Sequence, residues 1–132
     1  MKIEYRTDLP SKENLYELYN NLLWNDFLKL SSDQLLKAME NSWYSIYTYS
    51  GERLIATGRI VSDGVTNAYL CGLGVESRFR NVGIGTEITK KLIERCIESN
   101  LHIQLFCTDN LKAYYKKMGF EEFASGMVFK GN

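Results

Sequence analysis

Hydrophobic and polar positions in the first forty residues predict one short strand and two amphipathic helices. Residues 2–7 alternate between polar and apolar side chains, which is the period of a half-buried strand. Ser11 follows Pro10 and is a suitable N-cap, and the apolar residues after it recur at helical spacing, so we predict a helix of about three turns there. A second short helix is predicted from Ser31, where Gln34 completes a capping box.

The middle of the chain is predicted to form an antiparallel meander of three strands. Its segments are rich in aromatic and β-branched residues, and they are separated by turn sequences of serine, aspartate and glycine. Gly72 and Gly74 weaken regular pairing at the end of the third strand, so we expect a bulge or a close backbone approach there. The predicted strands cover residues 43–49, 54–61 and 65–75, and the turns lie at 50–51 and 62–64.

The second half of the chain begins with a clear amphipathic helix that opens at Gly83-Ile84-Gly85. The strand before this helix and the strand after it make one βαβ crossover, so the sheet should be mixed but mostly antiparallel. The predicted apolar face of the helix consists of Ile84, Ile88, Leu92, Cys96 and Ile97. The remaining predicted elements are a strand at 101–107, a helix at 110–118 that ends at Gly119, and strands at 120–123 and 127–130.

This pattern predicts an α/β (α+β) fold with the element order β-α-α-β-β-β-α-β-α-β-β, in which helices flank a central sheet. With 132 residues, we expect residues 1–132 to form a single domain. The chain has 16 basic and 16 acidic residues, and this balance argues against nucleic acid as a partner, because phosphate contacts need an excess of cations. Its single histidine makes a multi-histidine metal site unexpected, and we predict no metal.

Other features of the sequence bear on the compartment. No apolar run approaches the roughly 18 residues of a membrane span, and the first residues do not have the pattern of a signal peptide. The three cysteines, Cys71, Cys96 and Cys107, fit neither a disulfide framework nor a zinc pattern. We therefore expect a cytoplasmic protein without a membrane partner. The sequence leaves open whether the chain forms a homodimer.

The most informative stretch is the loop between the third strand of the meander and the amphipathic helix. It carries two arginines, Arg78 and Arg80, and then a Gly-x-Gly pair at the start of the helix. Backbone N–H groups at a helix N-terminus form an anion cradle, and glycine leaves that cradle open. A tight turn alone would use the same glycines, but the arginines and the flanking elements favour phosphate binding. The loop is neither a P-loop nor a Rossmann motif, since Ile88 stands at the third glycine position.

Two segments together resemble the GCN5-related N-acetyltransferase (GNAT) superfamily, and in particular its small bacterial members. Arg80-Asn81-Val82-Gly83-Ile84-Gly85 is similar to the family's Gln/Arg-x-x-Gly-x-Gly/Ala signature. Tyr115-Lys116-Lys117-Met118-Gly119-Phe120 resembles its Tyr-x-x-x-Gly-Phe segment. The two lie in the family's order and separation, and the predicted element order matches the family's fold over nearly the whole chain.

The resemblance implies acetyl transfer from acetyl-CoA, as cosubstrate, to an amine. It also implies that backbone amides of the loop hold the pyrophosphate, and that the strand before the loop contacts the pantetheine arm in a gap where the sheet splays. The family's helix asparagine, seven residues before the tyrosine, is replaced by Thr108, and its contact with CoA is carried over to Asn110. The implied cofactor-binding residues are Leu73, Gly74, Val75, Arg80, Asn81, Val82, Gly83, Ile84, Gly85, Thr86 and Asn110.

The resemblance places Tyr115 where the family keeps a tyrosine to protonate the thiolate, so Tyr115 is the predicted catalytic residue and Tyr114 the alternative. The family's strand carboxylate is absent, because Cys71 and Gly72 occupy its positions. Three sources of the base stay open: a water chain to backbone carbonyls, a carboxylate from elsewhere such as Asp109, or an acceptor that arrives deprotonated. Asp109 is more readily explained as an N-cap, and Cys71 as an ordinary strand residue.

The first two helices and the loop between them wall the acceptor site in relatives. The corresponding residues here are rich in aromatic side chains, which would suit an aromatic or alkyl amine, although core packing explains most of them. Residues 1–50 hold five basic and seven acidic residues, a weak indication of a cationic acceptor. A small-molecule amine is the leading acceptor; a protein lysine or N-terminal amine and a non-catalytic acyl-CoA-binding module are the alternatives. The aromatic residues concerned are Tyr19, Trp24, Phe27, Trp43, Tyr44 and Tyr47.

Overall fold

A computed structural model describes residues 2–131 and contains five strands and five helices in that range. The strands are β1 (Ile3–Arg6), β2 (Tyr44–Ser50), β3 (Arg53–Ser62), β4 (Asn67–Val75) and β5 (His102–Gln104). The helices are α1 (Lys12–Asn21), α2 (Asn25–Leu28), α3 (Ser32–Glu40), α4 (Ile84–Glu98) and α5 (Lys112–Lys117). Short 3₁₀ turns at Ser77–Phe79 and Asp109–Leu111 precede α4 and α5.

The five strands form one mixed sheet in the order β1-β2-β3-β4-β5. The first four are antiparallel neighbours, and β4 pairs with β5 in parallel after the crossover through α4. This is the predicted fold class, a mostly antiparallel central sheet flanked by helices. In residues 2–131 no helix has both the length and the apolar character that spanning a membrane requires.

The sheet separates two hydrophobic clusters. On one face α4 packs its apolar stripe on β3 and β4, with Ile88 and Leu92 fully buried. On the other face α1 and α3 pack over β2 and β3, with Leu15, Leu18 and Tyr47 at the centre. Both predicted helix caps are confirmed, since Ser11 accepts from the N–H of Asn14 and Ser31 forms a capping box with Gln34.

The structure corrects several predicted elements. Segments 120–123 and 127–130 are not strands, and β5 is shorter than predicted. Apolar side chains in the tail are exposed instead, with Met127 94% and Phe129 92% accessible. These segments have the composition of strands, but no neighbouring strand pairs with them in the described chain. Ile97 is also 62% exposed, because it lies at the edge of the α4 stripe, and the four-residue helix α2 carries no periodicity that would have predicted it.

Candidate functional site

Strand β4 pairs with the parallel strand β5 only over its first three residues, because β5 ends at Gln104. The pairs run from Asn67–His102 to Tyr69–Gln104. Beyond them, a cavity of about 270 Å³ has β4 in one wall and Leu105, Phe106, Leu111 and Tyr115 in the other. The gap in the sheet that the resemblance implied is therefore present.

A bulge in β4 lies at this gap. Between the pairs Thr57–Gly74 and Arg59–Cys71, β3 has one intervening residue and β4 has two. Gly72, in the bulge, has φ +62°, a left-handed conformation that favours glycine. The bulge expected from the glycines is confirmed, and it turns backbone groups of β4 out of the regular ladder beside the cavity.

The start of α4 leaves backbone N–H groups without partners. Gly83 is the N-cap residue in a left-handed conformation (φ +89°, ψ 4°), and no side chain caps the helix. A Cβ built on Gly83 would meet no atom within 4 Å. The first-turn N–H groups of the helix, together with the positive end of its dipole, therefore face open space, as an anion cradle requires.

The arginines of the loop hold its shape. The Nε of Arg80 donates to the carbonyl of Val75 at 2.7 Å. The carboxylate of Glu76, only 5% exposed, pairs with Arg78 at 2.9 Å and with Arg53 at 3.5 Å. Sequence reasoning missed the Glu76–Arg53 pair, since nothing local links residues that are 23 positions apart. The backbone of the loop, more than its arginine side chains, is what remains available for phosphate.

The two neighbouring tyrosines of α5 have different surroundings. The hydroxyl of Tyr114 lies 3.0 Å from that of Thr86 on α4. Tyr115 is half-buried and contributes to the walls of two cavities, the one in the sheet gap and another of about 430 Å³ between β5, α5 and the tail. Burial, with smaller contributions from the neighbouring Tyr114 and Cys107, raises the pKa of Tyr115, so its phenol stays protonated at neutral pH.

Candidate bases near the gap are poor. Cys71 lines the cavity, but burial raises the pKa of its thiol against the opposing charge of Arg59, and a protonated thiol is a weak nucleophile and base. Asp109 is 94% exposed and pairs with Lys112 at 3.0 Å. It is not the N-cap that we expected, because Thr108 occupies that position in the 3₁₀ turn. The Thr108 hydroxyl donates to the side-chain carbonyl of Asn110.

Of the aromatic residues expected around the acceptor, Trp24 is the one in the cavity wall. Its ring lies over β4, since a Cβ on Gly74 would stand 2.6 Å from it, and it meets Tyr19 edge to face at 5.2 Å. Phe27 is 74% exposed. Tyr47 is in the core between the sheet and α1, whereas Trp43 and Tyr44 pack on the other cluster, where Arg95 lies over their rings. Core packing therefore explains most of them.

The predicted cofactor-binding residues of β4 and of the loop are contiguous around the gap and the start of α4. Leu73 lines the cavity, Gly74 and Val75 continue the same strand, and the loop leads directly into α4. Asn110 lies apart from them, exposed in the 3₁₀ turn, while its neighbour Leu111 lines the cavity. The contacts of all these residues with acetyl-CoA stay a prediction.

Comparisons with known proteins agree with the fold. The model of the acetyltransferase (GNAT) family matches residues 9–120. An uncharacterized N-acetyltransferase, ycf52, of Pyropia yezoensis is 25% identical over 134 residues, covering 96% of this chain and 77% of that protein. The crystal structure of a probable acetyltransferase of unknown function from meticillin-resistant Staphylococcus aureus superposes with a TM-score of 0.82 at 20% identity, covering 98% and 99% of the two chains.

A third similar protein is a predicted acetyltransferase from Clostridium acetobutylicum, whose crystal structure was determined with acetyl-CoA. It superposes with a TM-score of 0.69 at 17% identity, covering 98% of this chain and 96% of its own. At such identities the solved structures establish the fold alone. The family is established by the family model, which matches residues 9–120, most of the chain.

Proposed function

The chain belongs to the acetyltransferase (GNAT) family, and we propose that it moves the acetyl group of acetyl-CoA directly to the primary amine of a small molecule. The observation that carries the proposal is the uncapped start of α4 beside the gap between β4 and β5. An anion cradle next to an opening in a sheet suits a long ligand with a pyrophosphate at one end and a reactive group at the other.

The residues present fit acetyl-CoA as cosubstrate. The open space at Gly83 would admit a phosphate to the amides of residues 80–86. At Gly85 a Cβ would come within 3.7 Å of Val75, so the helix starts close against the strand. Leu73, Gly74 and Val75 would offer backbone groups to the pantetheine arm, and Asn110 would add a side-chain contact. When bound, acetyl-CoA supplies an activated acyl group.

In this proposal Tyr115 is the general acid. Acetyl transfer needs a proton donor for the departing thiolate and a neutral amine as nucleophile. A phenol with a raised pKa keeps its proton at neutral pH and can donate a hydrogen bond to a thiolate whose conjugate acid has a lower pKa. No carboxylate is among the residues that line the sheet-gap cavity within the described chain, so the amine loses its proton to water or arrives neutral.

A small acceptor is favoured over a protein side chain because Trp24 covers β4 at the cavity, which has a volume of about 270 Å³. The absence of a lining carboxylate, which holds for the described residues, also favours a second candidate function: an acyl-CoA-binding module without catalysis. An assay of thiol release from acetyl-CoA with a panel of small amines and lysine peptides distinguishes these functions. Binding of CoA without turnover on any amine would leave only the binding module.

The role of Tyr115 is tested by Tyr115→Phe. We expect turnover to fall by about 10²- to 10⁴-fold, the usual contribution of a positioned acid, while the affinity for acetyl-CoA changes little. The matched control is Tyr5→Phe on β1, which also removes one phenol and should leave turnover unchanged. The same substitution at Tyr114 tests the alternative acid. Unchanged turnover in Tyr115→Phe would remove this residue from the mechanism.

Three further parts belong to the proposal. We place residues 1–132 in a single acetyltransferase domain, and the reaction in the cytoplasm, which is supported by the absence of a disulfide among Cys71, Cys96 and Cys107. A homodimer is supported by the exposed apolar tail, where Val128 is 82% accessible. Sedimentation velocity of the full chain tests it, and a monomer at all concentrations would contradict it.

A further inference from the structure

Arg59, in the middle of β3, carries a positive charge that the described chain does not neutralise. Ion pairs among residues 2–131 engage other arginines and lysines, and none engages Arg59. One Nη donates to the hydroxyl of Ser42 at 3.1 Å, and the phenol of Tyr19 also lies beside the guanidinium, but neither group carries a negative charge. The Nε of Arg59 is buried and has no partner. A half-buried charge with so few partners is costly, unless a ligand supplies the opposite charge.

The groups next to Arg59 also leave hydrogen-bonding capacity unused. Ser45 pairs with Arg59 across β2 and β3, and Tyr47 lies two residues along on the same face of β2. Ser45 is 8% exposed and Tyr47 1% exposed; their two hydroxyls lie near each other, and neither hydrogen-bonds to any other group of the described residues. Unpartnered polar groups are uncommon in protein interiors, so their concentration around one arginine indicates a polar site and not ordinary core.

This polar site adjoins the cavity in the sheet gap. Cys71 is the β4 partner of Arg59, and both Cys71 and Gly72 line the cavity. A Cβ on Gly72 would lie 3.2 Å from the Nε of Arg59, so the arginine side chain lies directly over this glycine. Burial raises the pKa of Cys71 and Tyr69, two residues of the cavity wall, and the nearby charge of Arg59 opposes the rise at both.

We propose that Arg59 binds an oxyanion, a carboxylate or a phosphate, carried by the acceptor amine. The proposal rests on the proposed acetyl transfer and names its substrate class. A guanidinium presents planar donors that match a carboxylate or phosphate, and a partly desolvated one binds such groups more strongly than a surface lysine does. The acidic excess of residues 1–50 does not oppose this assignment, because all seven acidic side chains there are exposed.

Matched pairs of amines test the proposal in the full chain. β-Alanine is compared with β-alaninamide, and O-phosphoethanolamine with ethanolamine, so each pair differs in one anionic group. We expect kcat/KM for the anionic member of at least one pair to exceed that of the neutral member by roughly tenfold to a hundredfold, the range of charge-assisted hydrogen bonds. The pair that responds tells a carboxylate from a phosphate. Equal values within both pairs would overturn the proposal.

Variants link the preference to Arg59. In Arg59→Gln the preference should fall to about one while the KM for acetyl-CoA stays unchanged, and Arg59→Lys should recover part of it, because it restores the charge without the planar donors. The control is Arg6→Gln, which removes an exposed charge on β1. A preference that persists in Arg59→Gln would refute the assignment. If Arg59→Gln does not fold, Arg59→Lys is used to test the assignment. A preference for the anionic amine in Arg59→Lys equal to that of the wild type would then contradict the proposed role of the guanidinium.

A failure of the proposed function is distinguishable from a failure of this inference. If no amine is acetylated, the proposed catalysis is wrong, and calorimetry with the same amine pairs in the presence of CoA then tests Arg59 by itself. Tighter binding of an anionic member, lost in Arg59→Gln, would support the anion site. Binding of neither member, or of both equally, would overturn it.

Discussion

Replacing Gly83 by alanine separates the two effects that a side chain would have at the start of α4. The first effect is on stability. With φ at +89°, an alanine there adopts a left-handed conformation that costs roughly 1–2 kcal/mol. The added Cβ meets no protein atom within 4 Å, so no packing cost is added. Against a typical stability of about 5–15 kcal/mol, the variant should remain folded.

The second effect is on the ligand. The same open space is where we propose that phosphates approach the amides of residues 80–86. A methyl group in that space should weaken CoA binding by at least about tenfold, because one lost charge-assisted hydrogen bond is worth about 1.5–3 kcal/mol. The expected loss in binding free energy is thus comparable to the loss in folding stability, but the two losses are measured in separate experiments.

Urea denaturation and calorimetry with CoA measure the two effects. The control is Gly51→Ala in the turn between β2 and β3, where glycine has φ +63° and a Cβ would also meet no atom within 4 Å. Both variants should lose similar stability, and only Gly83→Ala should lose affinity for CoA. Equal affinities in the two variants would refute the assignment of the α4 start as the phosphate cradle.

Two other predictions follow from local geometry. Gly74→Ala should displace Trp24, whose ring lies 2.6 Å from the added Cβ, and should destabilise the fold by about 1–3 kcal/mol. Tryptophan emission should shift to the red. If Gly74→Ala caused the same shift in a Trp24→Phe background, the shift would not come from Trp24 and the prediction would be wrong. Asp63 accepts hydrogen bonds from Thr66 and Val65, which lower its pKa from 3.8 to about 2. Its stabilising effect is therefore present above pH 3.8 and is lost as the pH falls towards 2. The difference in urea midpoint between wild type and Asp63→Ala should shrink over that interval, and a difference that is constant with pH would argue against the carboxylate as its source.

Local signals in the sequence were sufficient to predict where α3 and α4 begin. A capping box, a Gly-x-Gly pair at the start of a helix and an apolar stripe each act within a few residues, so Ser31, Gly83 and Ile88 could be interpreted without the fold. Strand formation in the tail could not be predicted in this way, because a strand also needs a partner strand at its edge. Segment 127–130 has the composition of a strand and no pairing in the described chain.

Two contacts near the sheet gap and the loop after β4 join residues far apart in sequence. Trp24, which follows α1, packs over Gly74, and Arg53 on β3 pairs with Glu76, which follows β4; no spacing rule encodes either contact. Tyr115 could be singled out because it begins the segment that resembles the family's Tyr-x-x-x-Gly-Phe pattern and ends at Gly119-Phe120. What the sequence could not distinguish was which aromatic residues belong to the cavity and which to the core, since both environments select the same side chains.

The distribution of charge supports separate places for the two proposed ligands. The chain has a net charge of +0, yet its arginines near the gap have different surroundings. Arg53 and Arg78 share the carboxylate of Glu76, and Arg80 donates to a backbone carbonyl. Backbone amides at the start of α4 can bind phosphates without a cation, so the cosubstrate does not require Arg59. Since no described carboxylate pairs with Arg59 either, its charge is available to select the acceptor, and a variant at this position should change acceptor preference without changing acetyl-CoA affinity.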